Sequence, residues 1–159
     1  MSKSSKTNAM RILESNNIHY TVDTYDIKDG LIDGISVANK VGKPVETVFK
    51  TLVAQGQSKE LFVFVIPVAD ELDLKKAARI SNQKKVEMIP VKDIQKHTGY
   101  MRGGCSPIGM KKHYITFIHT SAEKLPKIVV SGGKKGIQIE LDVQDLCSIT
   151  NATLSDLIK

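Results

Sequence analysis

The sequence predicts a mixed α/β fold in one domain that spans residues 1–159, with a curled sheet flanked by short helices. Three observations support this prediction. Segments with strand-like and helix-like patterns of apolar residues alternate along the chain, as about six strands and about four or five short helices. The chain has 159 residues, the usual size of one domain. No internal repeat, linker or low-complexity tract divides it.

The N-terminal part predicts a helix, a strand, a turn-rich segment and a second helix. Thr7 is placed to cap the first helix, which ends at Asn16. The alternating residues 19–25 predict a strand, and DIKDGLIDG follows as turns. Ser36 begins a short helix that Gly42 ends with a left-handed cap.

The middle of the chain predicts a hairpin followed by two short helices. Residues 47–56 and 59–67 are two apolar strands separated by a polar turn. Asp73 caps the helix LKKAARI, and residues 84–90 form a short strand. Residues 91–99 then form a helix that ends at a glycine.

The C-terminal part predicts three strands and a final helix. Residues 113–120 form one strand, while residues 127–133 and 136–141 form two more, linked through glycines. Asp142 caps the last helix, and residues 151–159 add a terminal turn.

The net charge favours an anionic partner without requiring one. Lys and Arg number 23 against 17 Asp and Glu, which gives a charge of +6 and an isoelectric point near 9.3. Such an excess suits nucleic acid, although ordinary soluble proteins also carry it.

Features that direct a chain to a membrane or an oxidising compartment are missing from the sequence. The longest apolar run, Leu61–Ala69, is far shorter than the ~20 residues that span a bilayer, so it predicts a buried strand. The N-terminal residues lack the apolar run of a signal peptide. Cys105 and Cys147 show neither CxxC nor metal-ligand spacing. We therefore expect a cytoplasmic protein without a disulfide, metal or cofactor.

Lys50 is unusual because it interrupts an apolar strand, TVFKTLVA. Burying an unpaired ammonium costs several kcal/mol, on the order of the cost of any unpaired buried charge. Lys50 therefore either extends its head into water at a strand edge or faces a pocket. The spacing alone leaves both interpretations open.

A glycine-rich segment, GYMRGGCSPIGMKK, spans Gly99–Lys112. Two glycines in succession, Gly103 and Gly104, let backbone N–H groups approach a ligand closely. The alternative is a plain surface turn between a helix and a strand. Cys105 could act as a nucleophile, but no base is placed beside it by sequence, so a small buried apolar residue is the favoured interpretation.

A second glycine segment, SGGKKG, spans Ser131–Gly136. It lacks the GxxxxGK[ST] spacing of a nucleotide-hydrolysing phosphate loop. Its lysines, with those at 111–112 and other basic pairs, are either solvated surface or parts of one phosphate-binding track. No GxSxG, HExxH or carboxylate pair supplies a familiar catalytic group.

Three segments in this order, VFKTLV, VEMIPVKDIQKHTGYMRGGCSPIGMKK and VSGGKKGIQIELDVQDL, resemble the YbaK/EbsC family. These proteins are free-standing bacterial relatives of the editing domain inserted in prolyl-tRNA synthetases. The resemblance implies a single mixed α/β domain with a curled, barrel-like, mainly antiparallel sheet flanked by short helices. It also implies an aminoacyl-tRNA deacylase that acts in trans on Cys-tRNA(Pro), and on Cys-tRNA(Cys), through attack of the substrate thiol on its own ester.

The resemblance assigns roles to individual residues of this chain. The catalytic group is Lys50 with the loop glycines Gly103 and Gly104, whose amides are the expected oxyanion donors. The substrate-binding group is Tyr25, Ile35, Ser106, Ser131 and Gln138. Apart from the resemblance, the basic pairs make Lys111, Lys112, Lys134 and Lys135 the expected tRNA-binding residues. Ile35 and Gln138 depart from some relatives, which carry an aromatic residue and an aspartate there.

Alternative functions stay open at this level. Within the family, the substrate is instead Ala-tRNA or another small aminoacyl-tRNA, with water as the attacking group. From a different class, the chain is a non-catalytic module that binds tRNA or prolyl-tRNA synthetase. A ternary complex with that synthetase is the expected source of tRNA selection, and the sequence leaves the oligomeric state undetermined.

Overall fold

Helices and strands alternate along residues 6–159, the part of the chain that the computed structural model describes. The helices are α1 (Asn8–Ser15), α2 (Gly34–Val41), α3 (Leu74–Ile80), α4 (Ile94–Thr98) and α5 (Val143–Thr150). The strands are β1 (Tyr20–Thr24), β2 (Phe49–Gly56), β3 (Leu61–Pro67), β4 (Val86–Met88), β5 (Ile115–His119), β6 (Lys127–Ser131), β7 (Ile137–Asp142) and β8 (Thr153–Ser155). None of these helices is both long and apolar enough to cross a bilayer.

The strands form two sheets, which confirms the mixed α/β class. A three-stranded sheet has the order β1-β7-β6, and a five-stranded sheet has the order β4-β2-β3-β5-β8. Pairs are antiparallel except β3–β5 and β5–β8. Outside the named strands, a parallel bridge between Val48 and Val129 links the two sheets. A closed or strongly curled barrel is not confirmed in residues 6–159, because that bridge does not continue along β2.

The β2–β3 hairpin is confirmed and supplies the centre of the core. The Gly56 N–H donates to the Glu60 carbonyl at 2.8 Å, which closes the turn. Every residue of β3 is buried. Its side chains alternate between two apolar clusters, one against α1, α5 and the three-stranded sheet and one against α3. The unbroken apolar run therefore arises because β3 is covered on both faces.

Helix ends follow the predicted caps with one shift. Thr7, Asp73 and Asp142 each accept a backbone N–H of the first turn. Helix α2 begins two residues earlier than expected, because the carboxylate of Asp33 accepts the Ser36 N–H at 3.0 Å. Residues 91–99 divide into a 3-10 turn and α4, which ends at a left-handed glycine as expected.

The C-terminal residues were expected to form a turn, but they include a strand. Residues 153–155 pair in parallel with β5, and the following Leu157 is fully buried. The Asp73 N–H donates to the Leu157 carbonyl at 2.8 Å, which fixes this segment to the start of α3. A three-residue strand is too short to give a period-2 pattern, so the sequence contains no signal for it.

Candidate functional site

A cavity of about 340 Å³ opens where β2 has no neighbouring strand on one side. β4 pairs with β2 only at residues 54–56, and the bridge to β6 is at Val48. Residues 50–52 therefore border the cavity instead of a strand. Its other walls come from the loop after β1, the start of α2, the Gly99–Lys112 segment and the β6–β7 hairpin. A volume of this size falls in the range of small-molecule sites.

Five of the predicted site residues line this cavity. They come from separate parts of the chain and are Tyr25, Lys50, Gly103, Ser131 and Gln138. The fold thus brings together residues that are as far apart in sequence as Tyr25 and Gln138.

Lys50 lies at the rim of the cavity and is half-buried. Its strand position faces Ile66, so its side chain is on the α3 side of the sheet. Lys159 lowers the pKa of Glu71 through a hydrogen bond and through its charge. The charge of Lys50 lowers the same pKa by a smaller amount. No hydrogen bond or ion pair of Lys50 is formed within residues 6–159. The ammonium is therefore available to an anionic group at the rim.

Thr51 is a cavity residue that the sequence interpretation missed. Its Oγ1 atom is buried and has no hydrogen-bond partner in the described part of the chain. The Oε1 atom of Gln138 is also buried without a hydrogen-bond partner among the described residues, and Gln138 is only 7% exposed. A hydroxyl next to the lysine in the otherwise apolar strand FKTLV was the available signal. Unpaired buried acceptors are uncommon in folded proteins and here mark the cavity as polar on two sides.

The glycine-rich segment forms a closed loop with its own internal hydrogen bonds. The Lys111 N–H donates to the Thr98 carbonyl at 2.9 Å and closes the loop at its base. The Tyr100 hydroxyl donates to the Ile108 carbonyl at 2.6 Å, and the Ile108 N–H donates to Ser106 Oγ at 3.2 Å. Ser106 is fully buried and lies outside the cavity lining. The structure shows Ser106 in a contact within the loop, and its role in substrate binding stays a prediction.

The two adjacent glycines have different environments. The Gly104 N–H donates to the Met101 carbonyl at 2.9 Å, so it is occupied. Gly103 has φ +85, lines the cavity, and its N–H has no acceptor in the described residues. Of the two amides expected to serve as oxyanion donors, only that of Gly103 lacks an acceptor in the described residues, and the donor role stays a prediction.

The glycine loop packs directly on the β6–β7 hairpin. A Cβ atom at Gly104 would lie 2.8 Å from Lys134 Cα, so only glycine fits there without moving the hairpin. A Cβ atom at Gly103 would lie 3.1 Å from Lys135 Cε, which places the stem of that lysine beside the cavity mouth. Loop and hairpin thus form one wall of the cavity.

Ile35 and the other predicted lysines lie outside the cavity lining. Ile35 is 48% exposed, and Gly34 and Val37 of the same helix line the cavity, so the role of Ile35 in the pocket stays a prediction. Lys134 and Lys135 are exposed at the mouth. Lys111 donates through Nζ to the Lys96 carbonyl at 3.0 Å. Lys112 lines a second cavity of about 200 Å³ on the other side of the loop.

Cys105 lines the cavity but is not activated. Burial raises the pKa of its thiol to about 11, and a hydrogen bond with Thr98 only partly offsets this. At neutral pH about one thiol in ten thousand is then ionised, and the thiolate is the nucleophile. Both cysteines are free, and the described residues contain no cluster of His, Cys, Asp and Glu that could hold a metal ion.

The fold is a mixed α/β domain with a mainly apolar cavity, carrying a few polar side chains, beside an unpaired strand edge. The chain belongs to the aminoacyl-tRNA editing domain family, whose sequence model matches residues 34–149. It is 43% identical over 152 residues to EbsC of Enterococcus faecalis, a proposed Cys-tRNA(Pro)/Cys-tRNA(Cys) deacylase. That alignment covers 96% of this chain and 93% of the relative.

Solved structures share the fold at low sequence identity. A proposed trans-editing enzyme for prolyl tRNA synthetase superposes with a TM-score of 0.85 at 22% identity, covering 98% of this chain and 99% of that one. A scaffold protein used in computational grafting of linear epitopes gives a TM-score of 0.84 at 22% identity, covering 100% and 99%. These likenesses establish the architecture of the chain.

The buried thiol predicts slow alkylation of Cys105 by iodoacetamide. Because the pKa is raised to about 11, the rate should increase about tenfold per pH unit from pH 7 to 9 without a plateau, following the thiolate fraction. Mass spectrometry of the peptide measures this rate, with free cysteine as the reference. A plateau near pH 8 would show that the thiol is exposed and ionised.

Gly104→Ala is expected to lower the free energy of unfolding by about 1–3 kcal/mol, as overpacking does. The added methyl group meets the hairpin backbone at Lys134 and separates the two parts of the cavity wall. Gly30→Asn is the control, because nothing lies within 4 Å of a Cβ atom there and asparagine tolerates its φ of +76. Urea unfolding measures both variants, and equal stabilities contradict the packing argument.

Proposed function

We propose that the protein is a trans-editing deacylase that removes cysteine from Cys-tRNA(Pro), with Cys-tRNA(Cys) as a second substrate. The observation that carries the proposal is the convergence of Lys50, Gly103, Ser131 and Gln138 on one cavity, in a chain of the aminoacyl-tRNA editing family. The 43% identity to EbsC over almost all of the chain supports the choice of cysteine.

The cavity supports a mechanism in which the protein positions the ester and the substrate thiol attacks. The described residues offer no ionised nucleophile there, since the Cys105 thiol stays protonated. A thiol held next to its own ester carbonyl gains a high effective concentration. The sulfur bonds to the ester carbonyl carbon, the bond from that carbon to the ribose oxygen breaks, and the thiol proton passes to the ribose oxygen. The products are tRNA with a free hydroxyl and the four-membered thiolactone of cysteine.

Two groups of this chain would stabilise the charge that develops. The N–H of Gly103 would be the donor for the oxyanion, because Gly103 lines the cavity and its N–H has no acceptor among residues 6–159. Lys50, at the rim, would hold the ribose end or the terminal phosphate. Tyr25 and Ser131 complete the wall that orients the aminoacyl group.

The lysines at the mouth would bind the tRNA backbone. Lys135 lies over Gly103, so a phosphate at this point is next to the aminoacyl end. Lys111, Lys112 and Lys134 would add contacts that carry no base specificity. A ternary complex with prolyl-tRNA synthetase would then select the tRNA, since these contacts read only the backbone.

Lys50→Ala is expected to reduce kcat/KM for Cys-tRNA(Pro) by at least about a hundredfold, as loss of a charged transition-state contact does. Because Lys50 is half-buried at the rim, the variant should keep the fold, and thermal unfolding checks this. Cys105→Ala is the matched control at the cavity wall and retains activity. Rates like those of the wild type in Lys50→Ala would remove this lysine from the mechanism.

The proposed substrate is tested with Cys-tRNA(Pro), Ala-tRNA(Pro) and Pro-tRNA(Pro) under identical conditions. We expect rapid deacylation of the cysteinyl ester alone, measured as loss of label from tRNA. Equal rates for the alanyl ester would favour a water-dependent deacylase of small aminoacyl-tRNAs. Salt-sensitive tRNA binding without deacylation of any ester would identify a non-catalytic module.

A further inference from the structure

The backbone hydrogen bonds of β2 alternate between its two edges. In an antiparallel pair, every second residue directs both its N–H and its C=O group to the partner strand, and the residues between direct theirs to the other edge. The Val68 N–H donates to the Val48 carbonyl at 2.9 Å, and the Gly56 N–H donates to the Glu60 carbonyl at 2.8 Å. The even-numbered residues of β2 therefore bond toward β3, and the odd-numbered residues face the opposite edge.

Thr51 directs its N–H and C=O groups to the unpaired edge of β2, where the cavity lies. Two residues further on, the Val53 carbonyl accepts the Ile89 N–H at 3.2 Å on this same edge. The contact with β6 ends at the Val48 bridge, and β4 pairs only with residues 54–56. In the described part of the chain, neither backbone group of Thr51 bonds to a residue outside the strands. Thr51 thus presents one unpaired donor and one unpaired acceptor to the cavity that it lines.

An aminoacyl ester has the two groups that complement this edge. In an antiparallel pair, two opposite residues exchange both hydrogen bonds, whereas in a parallel pair one residue bonds to two residues of its partner. A single aminoacyl group can therefore complete the antiparallel arrangement alone. Its α-ammonium is a strong, charged donor for the Thr51 carbonyl, and its ester carbonyl is an acceptor for the Thr51 N–H.

We propose that the aminoacyl group of the substrate pairs with the backbone of Thr51 as a one-residue antiparallel strand. The α-ammonium donates to the Thr51 carbonyl, and the ester carbonyl accepts the Thr51 N–H. This inference rests on the proposed function, because it names the contacts through which the cavity holds an aminoacyl ester. Unpaired backbone groups are costly once water is displaced, so a ligand that satisfies both of them is favoured. The ester carbonyl keeps a second lone pair for a further donor.

The pairing also determines where the side chain of the substrate lies. Opposite residues of an antiparallel pair direct their side chains to the same face. An L-amino acid would therefore direct its side chain to the face of Thr51, which is also the face of Phe49 and Val53 in the main apolar cluster. The Thr51 Oγ1 atom is buried there without a partner in the described residues, and a cysteine thiol would supply a weak donor to it. A D-amino acid held by the same two contacts would point to the face of Lys50.

The first test compares four stable adenosine analogues in which a 3′-amide replaces the ester. They carry L-cysteine, D-cysteine, L-alanine and 3-mercaptopropionate, and the last of these lacks the amino group. In titration calorimetry with the wild type, the L-cysteinyl analogue should bind about ten- to a hundredfold more tightly than the 3-mercaptopropionyl analogue, the usual effect of a hydrogen bond to a charged group. The D-cysteinyl analogue should bind at least about tenfold more weakly than its enantiomer, because its side chain meets the wrong face of β2.

The second test removes the N–H of Thr51 itself. Replacing Thr51 with its α-hydroxy acid, by translation with a suppressor tRNA, turns the amide into an ester and keeps the side chain. Affinity for the L-cysteinyl analogue should fall about three- to tenfold, the effect of one hydrogen bond. The same replacement at Gln55 is the matched control, because this odd-numbered residue of β2 pairs with Glu87 of β4 and lies outside the cavity lining. Both replacements weaken the preceding carbonyl toward β3, so this effect cancels in the comparison.

Thr51→Val separates the backbone from the side chain. It keeps the N–H and C=O groups and removes the hydroxyl, so the preferences for the amino group and for the L enantiomer should persist. The preference for cysteine over alanine should fall about threefold, because the thiol loses its acceptor. Loss of the amino-group preference in Thr51→Val would assign the contact to the hydroxyl and overturn the inference.

Two further results would overturn it. One is equal binding of the L- and D-cysteinyl analogues by the wild type, a comparison that needs no variant and holds even where the α-hydroxy protein does not fold. The other is an unchanged affinity in the folded α-hydroxy variant at Thr51. Because none of these measurements requires cleavage, the expected binding results without deacylation of Cys-tRNA(Pro) would reject the deacylase proposal and leave this assignment standing.

Discussion

The unpaired edge of β2 between the Val48 bridge and β4 is the constraint on which the site depends. At residues 50–52 this edge of β2 borders the cavity instead of a neighbouring strand. The alternation of side chains then places Lys50 toward one face and Thr51 toward the other. A cation and a neutral acceptor are therefore held a single residue apart on a rigid strand, which is a more precise support than a loop.

In the proposed mechanism the other cavity groups only position the ester, which fits a sequence without a familiar catalytic motif. Glycine in the two segments allows their backbones to touch. Among residues 6–159, the Gly103 N–H has no acceptor, while the Gly104 N–H donates to the Met101 carbonyl. Burial keeps the Cys105 thiol protonated by raising its pKa. Such a site is suited to a substrate that carries its own nucleophile, because orientation alone then accounts for a large part of the rate.

The sequence predicted features that depend on local chemistry. The caps at Thr7, Asp73 and Asp142 and the β2–β3 hairpin were found as expected, because a cap or turn is determined by a few adjacent residues. Thr51 was missed, since an unpaired hydroxyl is recognised only when every possible partner is placed. The occupied amide of Gly104, the buried position of Ser106 and the short strand β8 were missed for the same reason: each depends on contacts that the linear sequence does not display.

The most direct test of the central claim compares Cys-tRNA(Pro) with S-methylcysteinyl-tRNA(Pro). The two esters have the same amino group and carbonyl, and the methyl group removes only the attacking thiol. The account predicts rapid deacylation of the first and a rate near the uncatalysed one for the second, while both bind the protein. Equal deacylation of the two esters would contradict attack by the substrate thiol and require water or a group of the protein as the nucleophile.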